Sequence, residues 1–137
     1  MMHPTAAPLT LTLIFDGSCD FCTRTVRWVQ ALDWQGRITA LPFQSAAARQ
    51  AAGLTLAQCE SAAWAITPDG RRYPGAAAVN QALAVATGLP LPLWLYAVPG
   101  IHQLQDAVYA WVVRHRHRLP GDRPYCEQHP QRCGARV

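Results

Sequence analysis

Cys19 and Cys22, near the start of the chain, have the spacing of a redox-active dithiol. Their C-x-x-C sequence lies between an alternating apolar segment and a segment of helical periodicity, which places the first cysteine at the start of a helix. The free N–H groups and the dipole of a helix N-terminus stabilise a thiolate, which is the nucleophilic form of cysteine. We therefore expect Cys19 to be an exposed attacking thiol with a lowered pKa.

Cys22 follows one helical turn later, on the same face as Cys19. From there its thiol can attack a mixed disulfide formed at Cys19, which releases the product and closes a Cys19–Cys22 disulfide. We expect Cys22 to be the more buried, resolving thiol. Asp16 has two compatible interpretations, and the first is a proton acceptor for Cys22 or an anchor for the active-site turn. The second is an ordinary Asx-turn or helix cap.

The same two thiolates also make half of a zinc site or a complete two-coordinate Cu(I) site. A metal-binding or protein-interaction module is therefore the alternative function. The sequence contains no second C-x-x-C, and no histidine lies near the pair. We predict no metal and no cofactor.

Three further cysteines lie outside the dithiol. Cys59 is predicted to be a small core residue. Cys126 and Cys133 flank His129 in the pattern C-x-x-H-x-x-x-C, which leaves open a disordered tail, a zinc site, or an extra resolving thiol that folds back on the dithiol.

The elements around the dithiol follow an α/β order. We predict, in chain order, a strand over residues 9–15, a helix over 18–33, a strand over 38–43, a helix over 45–53, a strand over 62–67, a returning strand over 71–73 and a helix over 75–87. The first two strands, joined by a crossover helix, run parallel, and the last two form an antiparallel hairpin. The result is a mixed four-stranded sheet flanked by helices.

A helical extension follows from about residue 90. It comprises a short helix or packed loop over 90–100 and an amphipathic helix over 101–118, with Ile101, Leu104, Val108, Val112 and His115 on one side. We predict a single domain over residues 1–119. Residues 120–137 are polar and rich in proline, which is typical of a loosely ordered tail.

Asp16, Cys19 and Cys22 together form D-x-x-C-x-x-C, a pattern that resembles the DCC family of thiol–disulfide oxidoreductase-like proteins. The resemblance runs from about residue 11 to residue 119, and its other matching stretches are residues 41–45, Gly75 with Ala78 and Val79, and residues 108–116. It implies a thioredoxin-like fold and a redox-active dithiol.

Two departures bear on the chemistry that the resemblance implies. Asp20 follows the first cysteine where typical members carry proline or glycine, and its carboxylate should oppose ionisation of Cys19. No proline lies just before the third strand, where thioredoxins have a cis-proline.

Composition limits the other possibilities. Half of the residues are hydrophobic and 15% are charged, which excludes a disordered chain. The net charge of +4 comes from scattered arginines, which are weak evidence for nucleic-acid binding. No secretory signal or membrane-spanning run is visible. We expect a cytoplasmic monomer that acts on a protein or small-molecule disulfide and is served by an unidentified reductant, with no nucleic-acid or membrane partner.

Overall fold

The structure is a computed structural model that describes residues 10–116 and 118–133. Four strands form one sheet in the order β2–β1–β3–β4. Their bounds are Leu11–Phe15 for β1, Ile38–Pro42 for β2, Trp64–Ile66 for β3 and Arg72–Pro74 for β4. β1 runs parallel to β2, whereas β3 runs antiparallel to both β1 and β4. The predicted mixed sheet is confirmed, and the fold is thioredoxin-like; residue 9 of the predicted first strand lies outside the described residues.

Helices follow the strands in the predicted order. Their bounds are Asp20–Leu32 for α1, Ala46–Ala52 for α2, Leu56–Ser61 for α3, Gly75–Thr87 for α4, Leu91–Ala97 for α5, Ile101–His115 for α6 and Tyr125–Gln128 for α7, with a 3-10 helix over Pro130–Cys133. Side chains fix two of the starts, because the hydroxyls of Ser45 and Thr55 accept hydrogen bonds from backbone N–H groups of the first turn. No helix of the described residues is long and apolar enough to cross a membrane.

Strand β1 is buried on both faces of the sheet because helices cover both. Leu11, Leu13 and Phe15 pack in one apolar cluster that includes residues of α1 and α4. Ile14 points the opposite way, into a second cluster that contains Cys59 of α3. Cys59 is therefore the core residue that the sequence predicted. Apolar clusters on both faces of the sheet pack against the end of β1, and this packing positions the dithiol that follows the strand.

Helix α6 is turned relative to its predicted orientation. Leu104 and Val108, which we expected to face inward, are exposed. Val112 of the predicted stripe does line a cavity beside α1 and the sheet, together with Tyr109 and Arg116. These three positions also have helical spacing, so the inward face overlaps the predicted stripe only at Val112.

The described part of the C-terminal tail differs from the loose segment that the sequence predicted. It contains α7 and the 3-10 helix, and a disulfide joins Cys126 to Cys133. The tail packs on the N-terminal end of α1, where Asp122 N donates to Asp20 O at 3.1 Å. The Asp122 carboxylate also pairs with Arg24 of α1. Residues 134–137 of the predicted tail lie outside the described residues.

Candidate active site

The dithiol lies at the junction between β1 and α1. Cys19 is the N-cap of α1, with extended backbone angles, and its Sγ accepts a hydrogen bond from Cys22 N at 3.2 Å. Neither cysteine is in a disulfide. The helix therefore presents a backbone donor to the first sulfur, as the sequence predicted from the position of the pair.

The two thiols differ strongly in acidity. A hydrogen bond from the Cys22 thiol is the largest cause that lowers the pKa of Cys19 to about 7, and Cys22 N–H and the Arg116 guanidinium add to it, against burial and the Asp16 carboxylate. The pKa of Cys22 is raised, first by that same hydrogen bond and then by burial and by the charge of Cys19. Cys19 is therefore the thiol that ionises first. The carboxylate that opposes its ionisation is Asp16, whereas the sequence pointed to Asp20.

The expected accessibility of the two thiols is wrong. Cys19 is only 1% exposed, whereas Cys22 is partly exposed. The backbone of the C-terminal tail bonds to residues on both sides of Cys19. Cys126 N donates to Gly17 O at 2.8 Å, and Tyr125 N donates to Thr23 Oγ1 at 3.1 Å.

Asp16 anchors the loop between β1 and α1. Its Oδ1 accepts hydrogen bonds from Ser18 N at 2.9 Å and from Gln44 Nε2 at 2.8 Å. Gln44 Oε1 in turn accepts from Gly17 N at 3.0 Å, so one amide side chain after β2 fixes the loop at two points. The Asx-turn interpretation of Asp16 agrees with this geometry, and its role as a proton acceptor stays a prediction.

Arg116 is a residue of this site for which the sequence gave no role. Its Nη2 lies 3.2 Å from Asp16 Oδ2, and the two side chains are only 17% and 10% exposed. Its Nη1 lies 4.0 Å from Cys22 Sγ. A largely buried ion pair therefore touches the second cysteine. The signal available in sequence was the helical spacing of Arg116 with Tyr109 and Val112, together with the resemblance over residues 108–116.

Tyr109, one of those matching positions, contacts the segment just before β3, which is where thioredoxins have their cis-proline. Ala63, just before β3, donates its N–H to Tyr109 Oη at 2.9 Å and accepts from Gly75 N at 2.9 Å. No cis peptide bond occurs among residues 10–116 and 118–133. Both polar backbone groups of Ala63 are thus used within the chain, and burial is the main cause that raises the pKa of Tyr109.

A cavity of about 100 Å³ lies behind the dithiol, lined mainly by apolar side chains of β1, α1, α4 and α6. Cys22, Asp16, Tyr109 and Arg116 form its polar end. Cys19 is not among the lining residues, so the two sulfurs face different surroundings. In the part of the chain that the structure describes, no three His, Cys, Asp or Glu residues cluster so as to hold a metal. Cys126 and Cys133 form a disulfide, so the zinc interpretation of their spacing is wrong here.

The fold and the dithiol at its first helix define a thioredoxin-like redox protein. The model of the DCC1-like thiol-disulfide oxidoreductase family matches residues 13–122, and the chain belongs to this family. This membership supports thiol–disulfide oxidoreductase activity in general. No curated protein and no solved structure matches the chain.

Proposed function

We propose that the chain catalyses thiol–disulfide exchange on a protein or small-molecule disulfide, with Cys19 as nucleophile and Cys22 as resolving thiol. The observation that carries the proposal is the hydrogen-bonded pair at the start of α1, in which Cys19 has a pKa of about 7 and Cys22 a raised one. At pH 7 about half of Cys19 is thiolate, against roughly 1% for a thiol at its ordinary value of 9.0.

The first step is attack of the Cys19 thiolate on a substrate sulfur. The substrate S–S bond breaks, one substrate thiol leaves with a proton from solvent, and the other stays bonded to Cys19 Sγ. This bond removes the negative charge from Cys19 and its hydrogen bond with the Cys22 thiol. Both of these raised the pKa of Cys22, so its proton becomes easier to lose only after the mixed disulfide has formed.

The second step is attack of Cys22 on Cys19 Sγ, which releases the second substrate thiol and leaves a Cys19–Cys22 disulfide. The Arg116 guanidinium, 4.0 Å from Cys22 Sγ, stabilises the thiolate that this step requires. Asp16 is the proposed proton acceptor and also holds Arg116 in place. Two electrons pass to the substrate, and an external thiol reductant returns them.

The test compares Cys19→Ser, Cys22→Ser and the matched control Cys59→Ser in the reduction of a generic protein disulfide. We expect no turnover for the first two variants and parental turnover for the control, because Cys59 is a core residue of α3. Cys22→Ser should also accumulate a mixed disulfide at Cys19, detected by mass spectrometry. Turnover that survives Cys19→Ser contradicts the proposal. The cytoplasmic location, the monomeric state and the absence of nucleic-acid or membrane partners stay predictions.

A further inference from the structure

The Cys126–Cys133 disulfide lies against the loop that carries the dithiol. Both cysteines are buried, at 7% and 2% exposure. A Cβ built on Gly17 lies only 2.6 Å from Cys126 Sγ, so the sulfur occupies the space that a side chain at residue 17 would fill. The φ angle of Gly17 is not in the left-handed region, so the backbone conformation does not itself require glycine.

Hydrogen bonds hold the sulfur of Cys126 beside this loop. Cys126 N donates to Gly17 O at 2.8 Å, two residues before Cys19. Thr23 Oγ1 accepts from the tail and donates to Cys19 O at 2.9 Å, which ties the tail to the nucleophile's own backbone. Cys126 and Ser18, the residue before Cys19, also line one surface groove. The tail disulfide thus lies beside the loop that leads to Cys19.

We propose that Cys126 and Cys133 form a second redox-active pair, which passes two electrons to the Cys19–Cys22 disulfide after each turnover. The inference rests on the proposed function of Cys19 and Cys22. In this proposal, the tail pair is the immediate electron donor of the Cys19–Cys22 disulfide. An external thiol of the glutathione or dithiol class then reduces the tail disulfide.

The exchange proceeds through one mixed disulfide. The Cys126 thiolate attacks Cys19 Sγ, the Cys19–Cys22 bond breaks, and Cys22 leaves as a thiolate beside Arg116 before it takes up a proton. Cys133 then loses its proton and attacks Cys126 Sγ. The Cys19–Cys126 bond breaks, Cys19 leaves as a thiolate, and the Cys126–Cys133 bond forms. Two electrons have moved from the tail to the site.

Of the two cysteine pairs, one is a disulfide in the structure. Cys19 and Cys22 are unbonded while Cys126 and Cys133 are joined. In the cytoplasm, where we predict the chain to act, a persistent structural disulfide is rare and a redox-active one is the usual case.

The first experiment traps the mixed disulfide between the two pairs. The double variant Cys22→Ser/Cys133→Ser, with the control Cys22→Ser/Cys126→Ser, is reduced, mildly oxidised with diamide and mapped by mass spectrometry. Both variants lack the tail disulfide, so they are matched in stability. We expect a Cys19–Cys126 bond that closes at least about tenfold faster than Cys19–Cys133 and at a rate independent of protein concentration. Equal rates, or only intermolecular products, overturn the inference.

The second experiment uses the parent chain, so it does not depend on how the variants fold. The fully reduced chain is mixed with a small disulfide, quenched with acid at successive times and mapped for its thiols. We expect Cys19 and Cys22 to oxidise first and then return to thiols as Cys126 and Cys133 become a disulfide. If Cys19 reacts with the added disulfide but the oxidation never reaches the tail, the proposed function stands and the inference fails. If Cys19 does not react, the proposed function fails.

Discussion

Replacing Arg116 with glutamine tests the electrostatics of the site. The guanidinium lies 4.0 Å from Cys22 Sγ, and it lowers the pKa of both Cys19 and Cys22. Glutamine keeps most of the side-chain length and can still donate hydrogen bonds, but it has no charge. We expect the variant to raise the pKa of Cys19 and to slow its reactions at neutral pH, and we expect Arg116→Lys, which keeps the charge, to restore much of both.

The size of the effect follows from the geometry. Two unit charges 4 Å apart interact by about 1 kcal/mol in water and by about 4 kcal/mol at an effective dielectric constant of about 20. The effect of Arg116 on the pKa of Cys19 should be smaller than the upper end of this range. The hydrogen bond from Cys22 is the larger cause of the lowered pKa, and the Asp16 carboxylate offsets part of the Arg116 charge. We expect a rise of about one pKa unit, which corresponds to about 1.4 kcal/mol. The thiolate fraction of Cys19 at pH 7 then falls from about one half to about one tenth.

The assay is the ultraviolet absorbance of the thiolate, which does not require a reagent to reach a buried sulfur. Cys22 and Cys59 both have a raised pKa, and Cys126 and Cys133 are disulfide-bonded. A titration from about pH 5 to about pH 9 therefore reports Cys19. Thiolate forms as pH rises, so the midpoint of Arg116→Gln should move to higher pH.

The matched control is Arg114→Gln, which removes the same charge from an exposed position of α6. Its midpoint should stay at the parental pH. A midpoint for Arg116→Gln that equals the parental one, or lies below it, refutes the electrostatic reasoning. Arg116→Gln also leaves the Asp16 carboxylate without its cation, so each variant is first shown to be folded by circular dichroism.

Three further predictions concern other contacts of the site. Cys22→Ala removes the largest cause of the low pKa of Cys19, so its titration midpoint should rise by more than in Arg116→Gln, and Cys22→Ser should lie between the parent and Cys22→Ala. Gly121→Ala places a Cβ against Asp20 C, a backbone atom that cannot give way, so the tail should lift from α1 and Cys19 should alkylate faster in the folded protein; an unchanged rate contradicts this. Tyr109→Phe leaves the Ala63 N–H without its partner, which should lower the free energy of unfolding by about 1–3 kcal/mol in chemical denaturation. A loss well below this range would mean that the N–H finds another acceptor.

The fold class and the position of the dithiol could be predicted from sequence because the patterns that indicate them lie within short stretches of the chain. Alternation of apolar residues identified the segment that forms β1, and the Asp-Gly sequence after it marked the end of that strand. The lowered pKa of Cys19 followed from its place at a helix start. Its main cause, the hydrogen bond from Cys22, depends on the same C-x-x-C spacing.

The remainder of the site depends on contacts between distant parts of the chain. Gln44 and Arg116 both bond to Asp16, across 28 and 100 positions of sequence, and no periodicity links such residues. The tail was misjudged for the same reason, because its order comes from bonds to α1 and not from its own composition. One of these bonds runs from Asp122 N to Asp20 O, beside Cys19.

The ion pair between Asp16 and Arg116 acts on the ionisation of the two thiols, and a contribution to folding stability does not explain it. Largely buried ion pairs contribute little net stability, because loss of hydration offsets their attraction. The two charges act with opposite sign on the same thiols, since Arg116 lowers the pKa of Cys19 and Cys22 and Asp16 raises it. The position of Arg116 relative to Asp16 therefore controls how strongly each thiol ionises.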